Sequence, residues 1–414
     1  MFSSRCTLPP RPTPSASTLL ALLSALALAA CGGGGSSDCA TAAGGSTAGA
    51  SAFAAGPITG FGSVIVGGVR FDDSKAVITD DDGDAHRSDE LRLGMVAEIQ
   101  SAGIVRDASG ARATAAAIRF GSEIVGPVTA IAADGNSIVV LGETVKINTA
   151  TLFDDRLVGG LKALVAGTSI VEVHGVLDVA TGVYVATRIE PKPNAPFFKL
   201  RGAVGGIDKT AHTLRIGNGT ETVSYNAIAA SVPAALDNGL LVRARLQTTA
   251  VAGRWVAVAV TSAVRKLENA EEAEIEGKVT ASTFAADKKF SVNGIAVDAS
   301  GATFPGGTAG IVVGARVEVK GGAVGGVVIA TTVKVEDEGE HAAAGFELHG
   351  TISSFDASAK TFVLRGVRVG FGTGTVEFRK GTAADLANGK KVEVKGLRSV
   401  DGSTLNATRI GFED

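Results

Sequence analysis

One pattern of about 73 residues runs five times through this 414-residue chain, and no other feature constrains its fold as tightly. Each copy opens on a glycine with a β-branched residue two positions on: GPITGF from Gly56, GPVTAI from Gly126, GAVGGI from Gly202, GKVTAS from Gly277 and GTISSF from Gly350. The gaps between those glycines are 70, 76, 75 and 73 residues. A period of that length marks a series of small domains rather than one large core.

Within each repeat the next feature is a hairpin. In repeat 4, Phe290 to Val297 gives two alternating runs across Asn293-Gly294, a pair suited to a turn in which both central residues need positive φ. Gly67-Gly68, Leu141-Gly142, Gly217-Asn218-Gly219 and Arg365-Gly366 stand at the same place in the other copies. After a variable stretch comes a signature strand: GMVAEIQ from Gly94, GTSIVEVHG from Gly167, GLLVRARL from Gly239, GARVEVKG from Gly314 and GKKVEVKG from Gly389. A last alternating strand closes the repeat. No segment keeps a helical period, although Ala383 to Ala387 could hold a helical turn.

The expected fold is therefore all-β: a tandem array of five small antiparallel β-barrels of the oligonucleotide/oligosaccharide-binding (OB) type, because closing a five-stranded sheet hides its edges. A flat two-layer sandwich is the alternative. The expected domains are a signal peptide over 1–30, a flexible Gly/Ser/Ala tether over 31–55, and β repeats over 56–124, 125–193, 200–268, 274–338 and 346–414. Glu268–Glu276 carries five glutamates and 336–340 four acids, so both read as solvated linkers between separately folding units. The prolines Pro191, Pro193 and Pro196 read as a stiff spacer.

GPITGFGSVIVGGVRFD from Gly56 to Asp72, with the later Gly-x-x-Val-Glu-Val and Ala-Thr-Arg-Ile strands, resembles a domain family of unknown function. That family occurs as tandem repeats in proteobacterial lipoproteins, and it supplies no established activity or site residues. Repeat 3 departs from the pattern, with Arg243 and Arg245 and no Glu in its signature strand. Upstream, Arg5 and Arg11 precede an apolar run, Leu19 to Ala30, too short to cross a bilayer but suited to a secretory signal. It ends in Leu28-Ala29-Ala30-Cys31, which resembles the bacterial lipobox. The resemblance implies lipidation of Cys31, cleavage before it, and, with Gly32 following, sorting most readily to the outer membrane. Residues from Gly32 to about Ala55 would form a coil holding the first domain on the order of 25–30 Å from the bilayer.

Removing Arg5 and Arg11 with the signal takes the net charge from −3 to −5, which argues against a nucleic-acid partner. Of three cysteines only Cys39 would remain free, so no intrachain disulfide is expected. No catalytic residues, metal ligands or cofactor stand out. Asp80-Asp81-Asp82-Gly83-Asp84 suggests a calcium loop, but an EF-hand needs Gly at position six and Glu at twelve, where this chain has Ala85 and Leu91. Glu98, Glu172, Glu318 and Glu393 recur at one strand position and read as the solvent face rather than as cation sites. The histidines His86, His174, His212, His341 and His349 have no metal-ligand spacing and read as surface or rim residues. Trp255, Tyr184 and Tyr225 are few for a sugar-stacking surface.

The function expected from these readings is a non-enzymatic, membrane-anchored envelope lipoprotein acting as a tandem binding or scaffold module. Its partners would be the membrane through lipidated Cys31 and an envelope protein or glycan. A structural spacer or adhesin stalk is one alternative, and an enzyme with a site between repeats is another.

Overall fold

The computed structural model describes residues 51–108, 110–178, 181–263, 267–336 and 345–413. Strands dominate them, and Phe284–Asp287 is the one α-helical turn among the described residues. Ala383–Asp385 forms a 3-10 turn within the stretch where the sequence allows one.

Repeat 4 gives the plan of the barrel. Its opening strand, Ala270–Ser282, pairs antiparallel with Lys289–Val292, which turns through Asn293-Gly294 into Ile295–Asp298. That second hairpin strand runs parallel to the closing strand, Val327–Val335. The closing strand pairs with the signature strand Arg316–Val324, which returns to the opening strand. The circuit is complete, so the barrel has no free edge. The same five pairings close repeat 1, repeat 2, repeat 3 and repeat 5.

Local chemistry sets two features of this plan. The hairpin turn takes two successive left-handed residues, Asn293 at φ 49° and Gly294 at φ 83°, the twist that matches the flanking strands. Repeat 2 forces the buried Leu141 into the same region, φ 51°, which costs a non-glycine residue about 1 kcal/mol. The second feature is a step where the signature strand slips past its closing partner. Gly175, Gly321 and Gly396 stand there, and a Cβ would lie 2.2, 2.1 and 2.5 Å from the carbonyl oxygens of Val185, Ile329 and Asn406.

The barrels are not strung on linkers. The opening strand of repeat 1, Ser51–Gly60, runs parallel to that of repeat 4 from Ala52↔Glu272 to Ala55↔Ile275. It also meets repeat 5 at Gly60↔Glu347. The opening strands of repeats 2 and 3 pair through Lys199↔Val125 and Leu200↔Ile124. Apolar cores follow these sheets. Phe61, Phe71 and Ile99 of repeat 1 share a core with Phe362, Leu364 and Ile410 of repeat 5. Ile138 and Val171 share another with Leu214 and Val242. Phe53 and Ala55 of repeat 1 pack into the core of repeat 4.

Two expectations are thereby corrected. Ser51 to Ala55, assigned to the tether, is paired strand. The glutamate-rich junction at Glu268–Glu276 is strand from Ala270 onward, with Glu274 and Glu276 only 3% and 6% exposed. Signature-strand cations neutralise them: Lys320 Nζ lies 2.6 Å from Glu274 and Arg316 Nη2 lies 2.6 Å from Glu276. The second acidic run falls largely outside the described residues.

Candidate functional site

Several of the side chains singled out in the sequence, Asp81, Asp82 and Arg243 among them, meet at a seam between barrels. In repeat 1, Asp80 Oδ1 accepts the backbone N–H of Asp82 and Asp84, each at 2.9 Å, and the resulting turn presents Asp81 and Asp82 outward. Repeat 3 meets them with cations. Arg243 Nη1 lies 2.7 Å from Asp81 Oδ2, Lys199 Nζ lies 3.1 Å from Asp81 Oδ1, and both cations also pair with Asp82. Burial would raise the Asp81 pKa, but Lys199 and Arg243 outweigh it and hold the carboxyl below its ordinary value. The turn that resembles a calcium loop is therefore a docking plug, and lysine and arginine occupy the place of the cation. The departure in repeat 3 has the same explanation, since Arg243 stands where the other signature strands carry Glu.

Two arginines lock the centre. Arg201 of repeat 3 is 8% exposed; its Nη1 donates to Glu123 Oε1 at 2.7 Å and its Nη2 to the Asn293 carbonyl of repeat 4 at 3.3 Å. Burial alone would lower its pKa, yet Glu123 keeps it above the usual value. Arg188 of repeat 2 is fully buried, donates to Asp154 at 2.7 Å and to Glu190, and points Nη1 at the Leu93 carbonyl of repeat 1. Beside it Thr187 donates to the carbonyl of Gly94. Gly94 sits at φ 81°, where a Cβ would come 2.5 Å from the Thr187 carbonyl oxygen, so the first signature glycine also serves the docking of repeat 2.

At the seam of repeats 1 and 5, Arg70 grips Glu347 with two hydrogen bonds of 2.8 and 2.9 Å, and Lys395 Nζ adds a contact at 2.9 Å. His349 reaches Glu347 through Nε2 and Glu413 through Nδ1. The Glu347 carboxyl is held far below the ordinary range, first by His349 and then by Arg70 and Lys395 against the opposing effect of burial. Burial would lower the His349 pKa, but Glu347 and Glu413 raise it. Glu347, His349 and Glu393 have ligand atoms within one ion's reach, as do Asp80, Asp81 and Asp82. In both sets basic side chains already neutralise carboxylate oxygens.

The recurring signature glutamates are not a plain solvent face. All four are half-buried, with Glu98 3.8 Å from Arg119, Glu172 2.6 Å from Lys192, Glu318 3.0 Å from Lys320 and Glu393 3.6 Å from Lys395. His174, expected at the surface or rim, is 1% exposed, with Nδ1 3.0 Å from the Gly121 carbonyl oxygen. Tyr184 is buried with its hydroxyl on the Arg201 carbonyl, and Tyr225 is buried as well. Trp255 packs edge-on against Phe198 at 5.5 Å. Cys31, Cys39 and His341 lie outside the described residues.

Sequence reasoning passed over the short connection Ser122-Glu123 between the first two barrels. It lines a cleft of about 570 Å³ walled by repeats 1 and 3. Ser122 and Glu123 are 3% and 5% exposed, and Ser122 Oγ and Glu123 Oε2 have no hydrogen-bond partner among the described residues. A second cleft, about 840 Å³, lies where repeats 1, 2, 4 and 5 meet, with Arg70, Arg316 and Lys320 on its walls. A signal for these seams was present in the sequence: repeat 3 exchanges its signature acid for two arginines while repeat 1 adds four aspartates.

Three segments, residues 125–190, 276–334 and 349–411, match a family described as a domain of unknown function (DUF5666). They correspond to the second, fourth and fifth barrels. No curated protein matches the chain.

Proposed function

We propose that this chain is a membrane-anchored envelope lipoprotein whose barrels form a non-enzymatic binding scaffold. The observation that carries the reading is the use of charge. Acidic and basic side chains from different repeats, Asp81 with Arg243 and Arg70 with Glu347 among them, fasten one barrel to another and leave open clefts along the seams. Docking of this kind favours a scaffold over an extended stalk. The order opening, first hairpin, second hairpin, closing, signature matches the strand circuit of an OB barrel, and we read all five repeats as OB-like, with repeats 1 and 3 as divergent copies.

The anchor rests on Leu19 to Ala30 followed by Cys31. Two or three acyl chains on and beside Cys31 would hold the protein firmly, since each buried methylene contributes about 0.8 kcal/mol. Growing cells with a palmitate analogue tests this: the parent protein takes up label and fractionates with outer membrane, whereas Cys31→Ala takes up none and leaves that fraction. Label retained by the variant overturns the lipobox assignment.

A further inference from the structure

We propose that the cleft between repeats 2 and 5 binds a free fatty acid, its carboxylate on Arg398 and Lys162 and its alkyl chain along the apolar wall of repeat 2. The proposal rests on reading the chain as a binding module and adds the class of ligand.

The cleft, about 950 Å³, forms where the loop after the signature strand of repeat 5 settles on repeat 2. Arg398 Nη1 donates to the Thr149 carbonyl at 2.8 Å, and the Phe153 N–H donates to the Gly402 carbonyl at 3.1 Å. Ile131, Ile147, Phe153, Leu161 and Leu164 of repeat 2 supply the wall, and Val400 of repeat 5, itself fully exposed, joins them. An alkyl chain laid along this wall takes apolar surface of both partners out of water. The volume lies in the range of small-molecule sites, which suits a single chain.

The charges of this cleft do not cancel. Lys146, Lys162 and Arg398 line it against Asp134 and Asp401, an excess of one positive charge in a chain whose net charge is negative. Both acids are engaged locally. Asp134 Oδ1 accepts the Asn136 N–H at 3.0 Å, and Asp401 Oδ1 accepts the Ser399 hydroxyl at 2.6 Å and the Ser403 N–H at 3.1 Å. The exposed Lys162 side chain and the half-buried Arg398 form no ion pair with a described carboxylate. Burial lowers the Arg398 pKa to about 10, against the opposing effect of Asp401. Its Nη1 is taken by Thr149 and its Nε is closed off, which leaves Nη2 for a ligand. A partly desolvated guanidinium without a counter-ion favours an anion, whereas a neutral or cationic head leaves its charge unpaired. A small hydrophilic anion leaves the apolar wall wet. An anionic head on one apolar tail satisfies both features.

The test uses the full chain held in phosphatidylcholine nanodiscs. A decanoic acid analogue with a diazirine near its tail is crosslinked by light, and the adducts are mapped by mass spectrometry. They should concentrate on the peptides that carry Ile131, Leu161 and Val400. Decanoate should suppress labelling at least about tenfold better than decanol or decyltrimethylammonium, which keep the chain and lose or reverse the charge. Because both side chains are exposed, Lys162→Glu and Val400→Glu should melt like the parent, and each should lower labelling about 5–10-fold. Arg398→Gln should lower it further; should that variant fail to fold, the two exposed variants decide. The proposal is overturned if adducts spread evenly over the chain, if decanol competes as well as decanoate, or if either exposed variant labels like the parent. Dihexanoylphosphatidylglycerol, a soluble anionic phospholipid, should compete poorly; competition equal to that of decanoate would assign the cleft to a membrane lipid and overturn the proposal as well. Loss of these adducts would leave the palmitate result at Cys31 intact, and loss of that label would not alter adducts mapped to the cleft, so the two readings fail separately.

Discussion

Glu143 gives a pH-dependence with a definite sign. It begins the second hairpin strand of repeat 2, Glu143–Lys146, is 2% exposed, and accepts the N–H groups of Asn218 at 3.2 Å and Gly219 at 2.8 Å from the hairpin turn of repeat 3. Gly217, at φ 76°, would place a Cβ 2.6 Å from Oε2, so the turn wraps the carboxyl closely. Burial raises the pKa from 4.5 to about 7, against the two backbone hydrogen bonds that lower it. The folded state therefore holds a proton that the unfolded chain releases above pH 4.5. Stability from this group is full below that value, falls as pH rises, and levels off above about 7. The total is about 3 kcal/mol, of which about 2–3 falls between pH 5 and pH 8. Carboxylates with depressed values, such as Asp81, act in the opposite direction and at lower pH. Glu143→Gln isolates the effect, because an amide keeps an acceptor and cannot ionise. Urea unfolding followed by Trp255, the single tryptophan, reports on repeat 3. The variant should be within about 1 kcal/mol of the parent at pH 5 and more stable than the parent at pH 8. An equal difference at both pH values would refute the reasoning.

Two further outcomes follow from the seams. Arg243→Glu should destabilise the protein by about 3–5 kcal/mol, because it leaves Asp81 and Asp82 facing an acid in a buried site; adding Asp81→Arg should recover part of that loss, as a thermal melt of the single and double variants would show. A fragment of residues 346–414, which the repeat pattern alone would predict to fold independently, should be markedly less stable than the same region in the intact chain, since Phe362 and Leu364 lose the apolar groups of repeat 1 that share their core. Hydrogen exchange of the signature strand Lys391–Arg398 in fragment and full chain measures this, and equal protection would show that the shared core contributes little.

What the sequence displays and what it conceals differ by range. The hairpins at Asn293-Gly294 and Arg365-Gly366 are legible because turn chemistry and strand alternation are local. The strands that close each barrel are legible because the pattern returns at a fixed interval. The pairing of Ala52 with Glu272 leaves no local mark. Glu274 and Glu276 look solvated because a run of acids in a linker and a run of acids in a cation-faced strand have the same composition; only the positions of Arg316 and Lys320 tell them apart. Arg243 and Arg245 stood out as departures, and Asp81 and Asp82 stood out as a failed calcium loop. Each was the explanation of the other, across more than a hundred and fifty residues of chain.

The strand Ser51–Gly60 carries the largest consequence of this long-range docking. It hydrogen-bonds to the signature strand and hairpin of its own repeat, to the opening strand of repeat 4 and to the first strand of repeat 5. Phe53 and Ala55 complete the core of repeat 4, while Ala52, Ala54 and Ile58 belong to the core shared with repeat 5. The contacts of the first barrel therefore include strands of the last two. Loop-closure entropy over more than two hundred residues must be met before those contacts contribute, which places assembly among slow, high-contact-order processes. The same strand begins twenty residues after Cys31. Were Cys31 lipidated as proposed, tension on the anchor would load the strand that pairs with three barrels. Charge at the seams sets which barrels meet, and this strand, buried from Ala52 to Pro57, makes their meeting cooperative.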